Sequence, residues 1–314
     1  MKPRIYIDGA AGTTGLEIHG RLTGRGDLEL LQISESERKD LDSRARLLNE
    51  ADIAKLCLPD EAAREAVASI RNPAVRVLDA STAHRTAPGW TYGLPELGPG
   101  QRAAIRDARW VSNPGCYPTG FLALVRPLVR AGIIPPDFPL TVNAISGYSG
   151  GGRGMIEEFE DEASARYTQS VVRSYALNLS HKHVPEMQDH AGLAHPPLFA
   201  PNVGRFYRGM IVEVPLQIWA LPARHAPTAI HEILSAAYAR EPLIDVEPFA
   251  DPPAILDAEM LKSSDRMRLF VFGNEKTEQA RLVAVLDNLG KGASGAAVQN
   301  LNIMLGLPET AGLN

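Results

Sequence analysis

Hydrophobic positions in the first third of the chain form short continuous runs that alternate with helical patterns. The runs predict strands over residues 5–8, 28–34, 54–58 and 75–80, and the patterns between them predict helices over 13–21 and 61–70. Strands that are apolar along their whole length are typical of a parallel sheet with helices on both faces. The pattern therefore predicts a doubly wound, Rossmann-type α/β domain over residues 1–118.

The pattern changes after residue 118, where the strand candidates become longer and alternate. They cover residues 140–145, 210–221, 267–273 and 279–287, with helical patterns at 155–165 and 229–239. Alternation of apolar and other residues, as in Val212, Val214 and Leu216, is expected for an antiparallel sheet with one packed face. Residues 119–289 are therefore predicted to form an α+β domain, whose exposed sheet face is a candidate subunit interface.

The last helical pattern, over residues 293–305, places Ala297, Leu301 and Met304 on one stripe. Gly306 and Pro308 then predict the end of the helix. We expect this helix to pack onto the first domain, so that residues 290–314 complete it.

Composition excludes several classes of protein. A chain of 314 residues suits two domains, and its net charge of −5 disfavours a nucleic-acid or anionic-membrane partner, which would require a basic face. No apolar stretch approaches the roughly 18 residues of a membrane span, and the first residues follow a strand pattern rather than that of a signal peptide. With only two cysteines, the chain is predicted to be cytoplasmic with reduced thiols.

A glycine-rich turn follows the first predicted strand and opens the first helix. Gly9, Gly12 and Gly15 allow a tight turn and close approach of a pyrophosphate to the helix N-terminus. A plain strand–helix turn can carry the same residues, but the strand–turn–helix–strand context favours a dinucleotide site. The predicted cofactor contacts here are these glycines with Thr13 and Thr14.

The end of the second predicted strand favours NADP over NAD. Ser34, Ser36 and Arg38 provide hydroxyls and a cation for a 2′-phosphate, whereas an NAD site usually has an acidic residue at this point. Glu35 weakens the distinction, and Arg38 with Lys39 also fits a solvated loop.

Cys116 lies in a segment that predicts an activated thiol. Gly115 precedes it, Pro118 suits a first helical turn, and apolar residues follow at helical spacing. A helix N-terminus favours a thiolate, so Cys116 is predicted to be a nucleophile rather than a small buried apolar residue. Cys57 has no such setting and is predicted to belong to the core.

A histidine pair is the best acid/base candidate. Pro185 predicts an extended chain before it, in which His181 and His183 point to the same side and Glu186 can orient one imidazole. Surface histidines are the plain alternative. Metal binding together with His190 and His195 lacks recognised spacing, so we predict no metal.

Two further glycine-rich loops have the composition of ligand-binding loops. Residues 146–154 follow a predicted strand and offer backbone amides and Arg153 to an anion, although a flexible linker would look similar. Residues 287–292 precede the last helix and are a weaker candidate for a cofactor contact.

Five motifs together resemble the N-acetyl-γ-glutamyl-phosphate reductases, in particular the short-chain form of arginine biosynthesis. They are YGLPEL at 92–97, SNPGCYPT at 112–119, SGYSGGGR at 146–153, HKHVPE at 181–186 and DNLGKGASGAAVQNLN at 287–302. The resemblance covers nearly the whole chain, and the cysteine motif is its most specific part. A glycine in SGGGR, where the family often has alanine, is a small departure.

The resemblance implies an NADP-dependent enzyme that reduces an acyl phosphate to a semialdehyde and releases inorganic phosphate. It implies a thioester on Cys116 and a histidine acid/base, for which we choose His183 with His181 as the alternative. It also implies that residues 119–289 form a domain for catalysis and oligomerisation, and it fits a homodimer or homotetramer. The remaining predicted contacts are Glu186 for catalysis, Asn288 for the cofactor, and Asn113, Ser149 and Arg153 for the substrate.

Two other functions remain open from the sequence. A sister acyl-phosphate reductase, of the aspartate-semialdehyde or aminoadipate type, would share the thiol chemistry but differ in substrate. A carrier-linked aminoadipate enzyme would also require a basic surface, which the net charge of −5 disfavours. A non-catalytic NADP-binding regulator would bind the cofactor without phosphate-dependent turnover.

Overall fold

The computed structural model describes residues 2–314 and divides them into two compact units. Unit 1 comprises residues 2–95, 100–114 and 293–313, and unit 2 comprises 96–99, 115–292 and 314. Residues 115–118, placed in the first domain by the prediction, belong to unit 2 because they open a helix that packs on the sheet of that unit. Residues 290–292 are also part of unit 2.

Unit 1 is built on a six-stranded parallel sheet, which confirms the predicted Rossmann-type fold. Its strand order is β2-β1-β3-β4-β6-β5, and every neighbouring pair is parallel. The strands are β1 (Arg4–Asp8), β2 (Glu29–Leu31), β3 (Ile53–Leu56), β4 (Arg76–Asp79), β5 (Thr91–Tyr92) and β6 (Trp110–Ser112).

Helices cover both faces of this sheet. One core joins Ile5, Ile53 and Leu78 to the first and last helices of the chain, and a second core joins Tyr6 and Ala54 to two others. The alternation of Ile5 and Tyr6 between the two cores is the period of a strand buried on both sides. The helices of unit 1 are α1 (Thr13–Leu22), α2 (Leu41–Glu50), α3 (Asp60–Ser69), α4 (Gln101–Asp107) and α9 (Gly295–Leu305).

The C-terminal helix α9 is an integral part of the core of unit 1. Ala297, Leu301 and Met304 are buried in the same cluster as Ile5. The guanidinium of Arg76 donates to the Met304 carbonyl at 2.5 Å. Helix α9 ends where the sequence predicted, at Gly306 with φ +67°.

Helix α2 was not predicted, because its surface is almost entirely polar. Only Leu47 and Leu48 are buried, so no long apolar stripe marks it. Its start has a local signal, since the Asp40 carboxylate accepts a hydrogen bond from the Ser43 amide at 2.7 Å.

Unit 2 contains a seven-stranded sheet in the order β11-β12-β13-β10-β7-β9-β8. The central strands β12, β13, β10 and β7 are antiparallel, as predicted, but the sheet is mixed because β9 runs parallel to β7 and β11 parallel to β12. Its strands are β7 (Thr141–Gly147), β8 (Val172–Ser174), β9 (Leu198–Gly204), β10 (Met210–Gln217), β11 (Ile244–Val246), β12 (Met267–Asn274) and β13 (Gln279–Leu286).

The helices of unit 2 are α5 (Cys116–Arg130), α6 (Gly152–Glu160), α7 (Val184–Ala191) and α8 (Pro227–Tyr238). Helix α5 lies close to the sheet at Gly120, where an added Cβ would be 3.0 Å from the Cβ of Val212. The Tyr238 hydroxyl of α8 donates to the Ala123 carbonyl at 2.8 Å. These contacts fix the start of α5 relative to the sheet. Among residues 2–314, no helix is long and apolar enough to cross a membrane.

Lys55 is an anomaly within the core of unit 1. It lies in β3, its side chain is 2% exposed, and its Nζ has no hydrogen-bond partner within residues 2–314. Burial lowers the pKa of this amine below its usual value of 10.5. An unpartnered buried amine costs free energy, because the hydrogen bonds it made to water are not replaced.

A Lys55→Met variant should therefore raise the free energy of unfolding by about 1–3 kcal/mol at pH 7, measured by denaturant unfolding. Because the pKa of Lys55 is lower in the folded chain than in the unfolded chain, the unfolded chain binds more protons as the pH approaches 10.5 from below. The stability of the wild type should accordingly rise with pH towards 10.5 relative to the variant. The exposed Lys262→Met is the control and should stay within about 0.5 kcal/mol. A Lys55→Met protein less stable than the wild type at both pH 7 and pH 9.5 would contradict this account.

Candidate active site

Cys116 is the first residue of α5, as the sequence predicted. Gly115 is the N-cap, with φ −76° and ψ 153°, and no side chain caps the helix. The thiol lies where the helix dipole is positive and the first backbone amides have no intrahelical partner. Both effects favour the thiolate over the thiol, as a nucleophile requires.

Glu186 fixes the backbone just before the thiol. Its carboxylate accepts a hydrogen bond from the Gly115 amide at 2.7 Å, and its side chain is buried. This bond ties α7 to the start of α5 within unit 2. The sequence predicted that Glu186 orients an imidazole. It did not indicate the hydrogen bond between Glu186 and Gly115.

The histidine pair lies at the start of α7 rather than in an extended chain. His183 is the N-cap, with φ −87° and ψ −12°, and Pro185 occupies the first turn, where its missing N–H costs nothing. The predicted extended conformation is therefore wrong, but the two imidazoles are close, with ring centroids 4.8 Å apart. The Nδ1 atom of His181 accepts a hydrogen bond from the His183 amide at 3.1 Å.

Aromatic rings surround these imidazoles. The ring of His181 packs edge-on against Tyr117, Tyr175 and Phe199, and Tyr117 also contacts His183. The Tyr175 hydroxyl donates to the Tyr117 hydroxyl at 2.9 Å. Burial raises the pKa of both phenols, and negative charge on Cys116 raises it further. The phenols therefore stay protonated beside the thiol.

The sequence did not predict that either tyrosine lies beside the two imidazoles. Tyr117 directly follows Cys116 in the SNPGCYPT motif, and that position was a signal available in the sequence. Tyr175 directly follows the last residue of strand β8, and only the fold brings it next to Tyr117.

The loop at 287–292 packs against Cys116. A Cβ added to Gly292 would lie 2.9 Å from the Cβ of Cys116. Asp287 holds the loop, accepting hydrogen bonds from the Leu289 amide at 2.8 Å and from the Arg208 guanidinium at 2.6 Å. The glycine is thus required at this position by the close approach of α5.

Asn288 and Ser149, predicted to contact the cofactor and the substrate, are hydrogen-bonded to each other. The side-chain nitrogen of Asn288 donates to the Ser149 hydroxyl at 2.9 Å, and its side-chain oxygen accepts from the Gly209 backbone amide at 2.8 Å. Both side chains are buried. These bonds hold the 287–292 loop in unit 2, and contact with a ligand stays a prediction.

Arg153 is solvent-exposed on α6. Its guanidinium donates to the Glu157 carboxylate at 2.8 Å, and its side chain is 87% exposed. A surface ion pair of this kind is weak, so the cation remains available to an anion.

Asn113, also predicted to contact the substrate, is buried in unit 1. Its amide donates to the Ala293 carbonyl at 3.1 Å, and its oxygen accepts from Asn300 at 3.2 Å. These bonds join the end of β6 to the region of α9. A role in binding substrate stays a prediction.

The glycine-rich turn of unit 1 fits a dinucleotide pyrophosphate. Gly9 has φ +85°, and an added Cβ would meet the Cys57 carbonyl oxygen at 2.3 Å. A Cβ on Gly15 would lie 2.4 Å from the Gly9 carbonyl oxygen. Helix α1 begins at Thr13 without a side-chain cap, which leaves its first amides for an anion. Thr14 follows in the same turn.

The segment after β2 is exposed, as a site for a ribose phosphate requires. The Ser34 hydroxyl donates to the Glu37 carboxylate at 2.6 Å and lies 3.1 Å from the Ser36 hydroxyl. The guanidinium of Arg38 is 3.8 Å from the Glu35 carboxylate, with both side chains largely exposed. Glu35 and Glu37 therefore compete with a phosphate for these donors.

A buried polar cluster at the carboxyl end of β4 was missed. The Asp79 carboxylate accepts from the Ser81 hydroxyl at 2.5 Å and lies 2.7 Å from Nδ1 of His84, whose ring stacks on Trp90. Burial opposes ionisation, but the hydrogen bonds from His84 and Ser81 leave the pKa of Asp79 below its usual value. In open α/β sheets ligands bind at this edge. The run of polar residues directly after the strand was the available signal.

Cys57 differs from Cys116 in its surroundings. It packs against the first core of unit 1, and burial raises the pKa of its thiol. A buried thiol of raised pKa is a poor nucleophile at neutral pH, in agreement with its predicted place in the core.

Comparison with known proteins places both units in one family. Residues 4–108 match the model of the semialdehyde dehydrogenase NAD binding domain, and residues 116–288 match that of the semialdehyde dehydrogenase dimerisation domain. The chain belongs to the semialdehyde dehydrogenase family. Unit 1 of this family member thus carries the NAD binding domain, and unit 2 carries the dimerisation domain.

Relatives of this semialdehyde dehydrogenase family member confirm the resemblance found in the sequence. It is 54% identical to N-acetyl-gamma-glutamyl-phosphate reductase 2 of Nostoc sp., with 99% of each chain covered. It is 53% identical to the N-acetyl-gamma-glutamyl-phosphate reductase of Burkholderia ambifaria, with 97% of each covered. A structure of aspartate semialdehyde dehydrogenase with NADP from Candida albicans has a TM-score of 0.69 at 14% identity, covering 96% of this chain and 98% of that one. At that identity the likeness shows the fold alone.

Proposed function

We propose that the protein is an NADP-dependent reductase that converts N-acetyl-γ-glutamyl phosphate into N-acetylglutamate 5-semialdehyde and inorganic phosphate. The observation that carries the proposal is the placement of Cys116 at the start of α5, tied through Gly115 and Glu186 to the helix that His183 caps. Relatives at 53–54% identity over nearly the whole chain bear the name of this reductase, which supports the choice of substrate.

The first step is nucleophilic attack by Cys116. The thiolate attacks the γ-acyl carbon, a C–S bond forms, and the C–O bond to phosphate breaks to release inorganic phosphate. The helix N-terminus stabilises the thiolate before attack, and nearby backbone amides can stabilise the developing oxyanion. Arg153, exposed on α6, is our candidate for holding an anionic group of the substrate.

When bound, NADPH supplies the hydride that reduces the thioester carbonyl. The oxygen that gains charge takes a proton from an acid, and the same group takes that proton back as the C–S bond breaks, which releases the aldehyde and returns Cys116 as a thiolate. We assign His183 as this acid, and as the base in the reverse direction. His181 is less suited, since protonation of its Nδ1 would break the bond that this atom accepts from the His183 amide.

NADP is proposed over NAD on the residues after β2. Ser34, Ser36 and Arg38 are exposed and offer two hydroxyls and a cation to a 2′-phosphate. The structurally similar Candida albicans enzyme is described with NADP, which agrees with this choice.

A homodimer or homotetramer is proposed for the assembled enzyme. The match of residues 116–288 to a dimerisation domain supports self-association through unit 2. Small-molecule substrates, with no nucleic acid and no membrane, complete the proposed set of partners.

The reverse reaction tests this function directly. Purified protein mixed with N-acetylglutamate semialdehyde, NADP and phosphate should form NADPH only when phosphate is present. We expect kcat/KM to fall by at least ~100-fold with aspartate semialdehyde. That aldehyde lacks the acetyl group, so the groups of the site that bind the acetylamino group are left without a partner. NAD should be the poorer cofactor.

A preference for aspartate semialdehyde would instead identify a sister dehydrogenase. Tight NADP binding without turnover on either aldehyde would identify a non-catalytic regulator.

A further inference from the structure

Glu96 has no role in the reaction as described, yet it is buried in unit 2 together with a lysine. Residues 96–99 belong to unit 2, although residues 95 and 100 on either side belong to unit 1. The Glu96 carboxylate accepts a hydrogen bond from Nζ of Lys291 at 2.7 Å, and the two side chains are 1% and 0% exposed. Residues 96–99 are thus a short segment of unit 2, and its first residue forms a buried ion pair with Lys291.

A buried ion pair is a poor source of stability, because removing both charges from water costs about as much as their attraction returns. Its better-attested use is to fix one arrangement of the groups around it.

Lys291 is joined directly to the residue that backs the nucleophile. Gly292 follows it in the chain, and a Cβ added there would lie 2.9 Å from the Cβ and 3.4 Å from the Cα of Cys116. The Gly292 amide is bound to the Asp287 carbonyl at 3.0 Å, which leaves the peptide little freedom. Movement of Lys291 would therefore move Gly292, which contacts Cys116.

We propose that Glu96 is a positioning residue for Cys116, which it holds in place through Lys291 and Gly292. This inference rests on the proposed function only in naming the thiol as the reacting group. The positive charge of Lys291, which the Glu96 carboxylate balances, lies one residue before Gly292, the residue that contacts Cys116. Neutralising Glu96 leaves that cation uncompensated, which favours the thiolate.

A Glu96→Gln variant tests the proposal with a readout that loss of stability alone would not move. The rate of Cys116 alkylation by iodoacetamide is followed against pH, with the modified peptide identified by mass spectrometry. We expect the midpoint to fall by about 0.5 pH unit or more, since a negative charge has been removed nearby. We also expect kcat to fall by about fivefold while the KM for NADP stays within about twofold, because the thiol is displaced but the cofactor site is not.

Glu213→Gln is the matched control. Glu213 pairs with Arg281 in the same unit, but on the face of β10 opposite to that of Val212, which α5 contacts. Its alkylation midpoint and kcat should equal those of the wild type. A Glu96→Gln protein with wild-type midpoint and wild-type kcat would show that the ion pair is only structural and would overturn the proposal.

A double variant covers the case in which Glu96→Gln does not fold. Glu96→Leu with Lys291→Met removes both charges and leaves none unpaired, which buried pairs tolerate best. Lower kcat with an unchanged Kd for NADP supports the proposal, and unchanged kcat overturns it. Alkylation does not depend on the substrate, so a shifted midpoint in a protein without reductase activity would reject the proposed function and keep this inference.

Discussion

A Cys116→Ser variant is expected to lose the phosphate-dependent reduction of NADP almost completely while retaining its fold. A serine hydroxyl in the same place is not ionised at neutral pH, since a helix N-terminus cannot lower its pKa far enough. We expect kcat to fall by at least ~10³-fold, measured with N-acetylglutamate semialdehyde, NADP and phosphate. The thermal midpoint and the Kd for NADP should change little, because the substitution replaces one small atom.

The second cysteine of the chain provides the control. Cys57→Ala removes the thiol that packs against the core of unit 1 and should keep activity within about twofold. Turnover by Cys116→Ser within tenfold of the wild type would eliminate the covalent mechanism.

A His183→Asn variant should slow the reaction by about 10²–10⁴-fold, because the intermediate then has no acid to protonate its oxygen. The effect should appear in kcat rather than in KM, and one limb of the pH profile of kcat should disappear. His181→Asn should have a smaller effect, since an asparagine oxygen can still accept the hydrogen bond from the His183 amide.

Lys182→Ala is the matched control for the histidine variants. Lys182 lies between the two histidines in sequence and is exposed. Its replacement should leave kcat close to that of the wild type. Equal losses in Lys182→Ala and His183→Asn would reject the assignment of His183, and a much larger loss in His181→Asn would transfer the role to His181.

Much of unit 1 was predictable because its strands are mostly apolar rather than alternating. Nearly continuous apolar runs such as the one at Ile53–Leu56 are typical of a sheet covered on both faces. Lys55 in that run is the exception, and no sequence pattern indicates how a charge is accommodated there. Helix α2 was missed for the opposite reason, since only Leu47 and Leu48 face the core.

The position of Cys116 at the start of a helix was predictable from its own neighbours. Gly115, Cys116 and Pro118 together describe the first turn of a helix, and the helix dipole acts over that turn alone. The histidine segment was only partly predictable. Pro185 predicts an extended chain before it, whereas the structure places this proline in the first turn of α7 with His183 as the cap.

The sequence by itself determined the order of elements, the glycine turn before α1, and the placement of Cys116 at the start of a helix, because each depends on groups within a few positions of one another. Only the tertiary structure decided which side chains surround that residue. Glu186 on Gly115, Gly292 behind Cys116, Tyr175 on Tyr117 and Glu96 on Lys291 all join residues far apart in the chain. Such pairs are set by the packing of helices on sheets, and that packing depends on the whole core rather than on any local pattern.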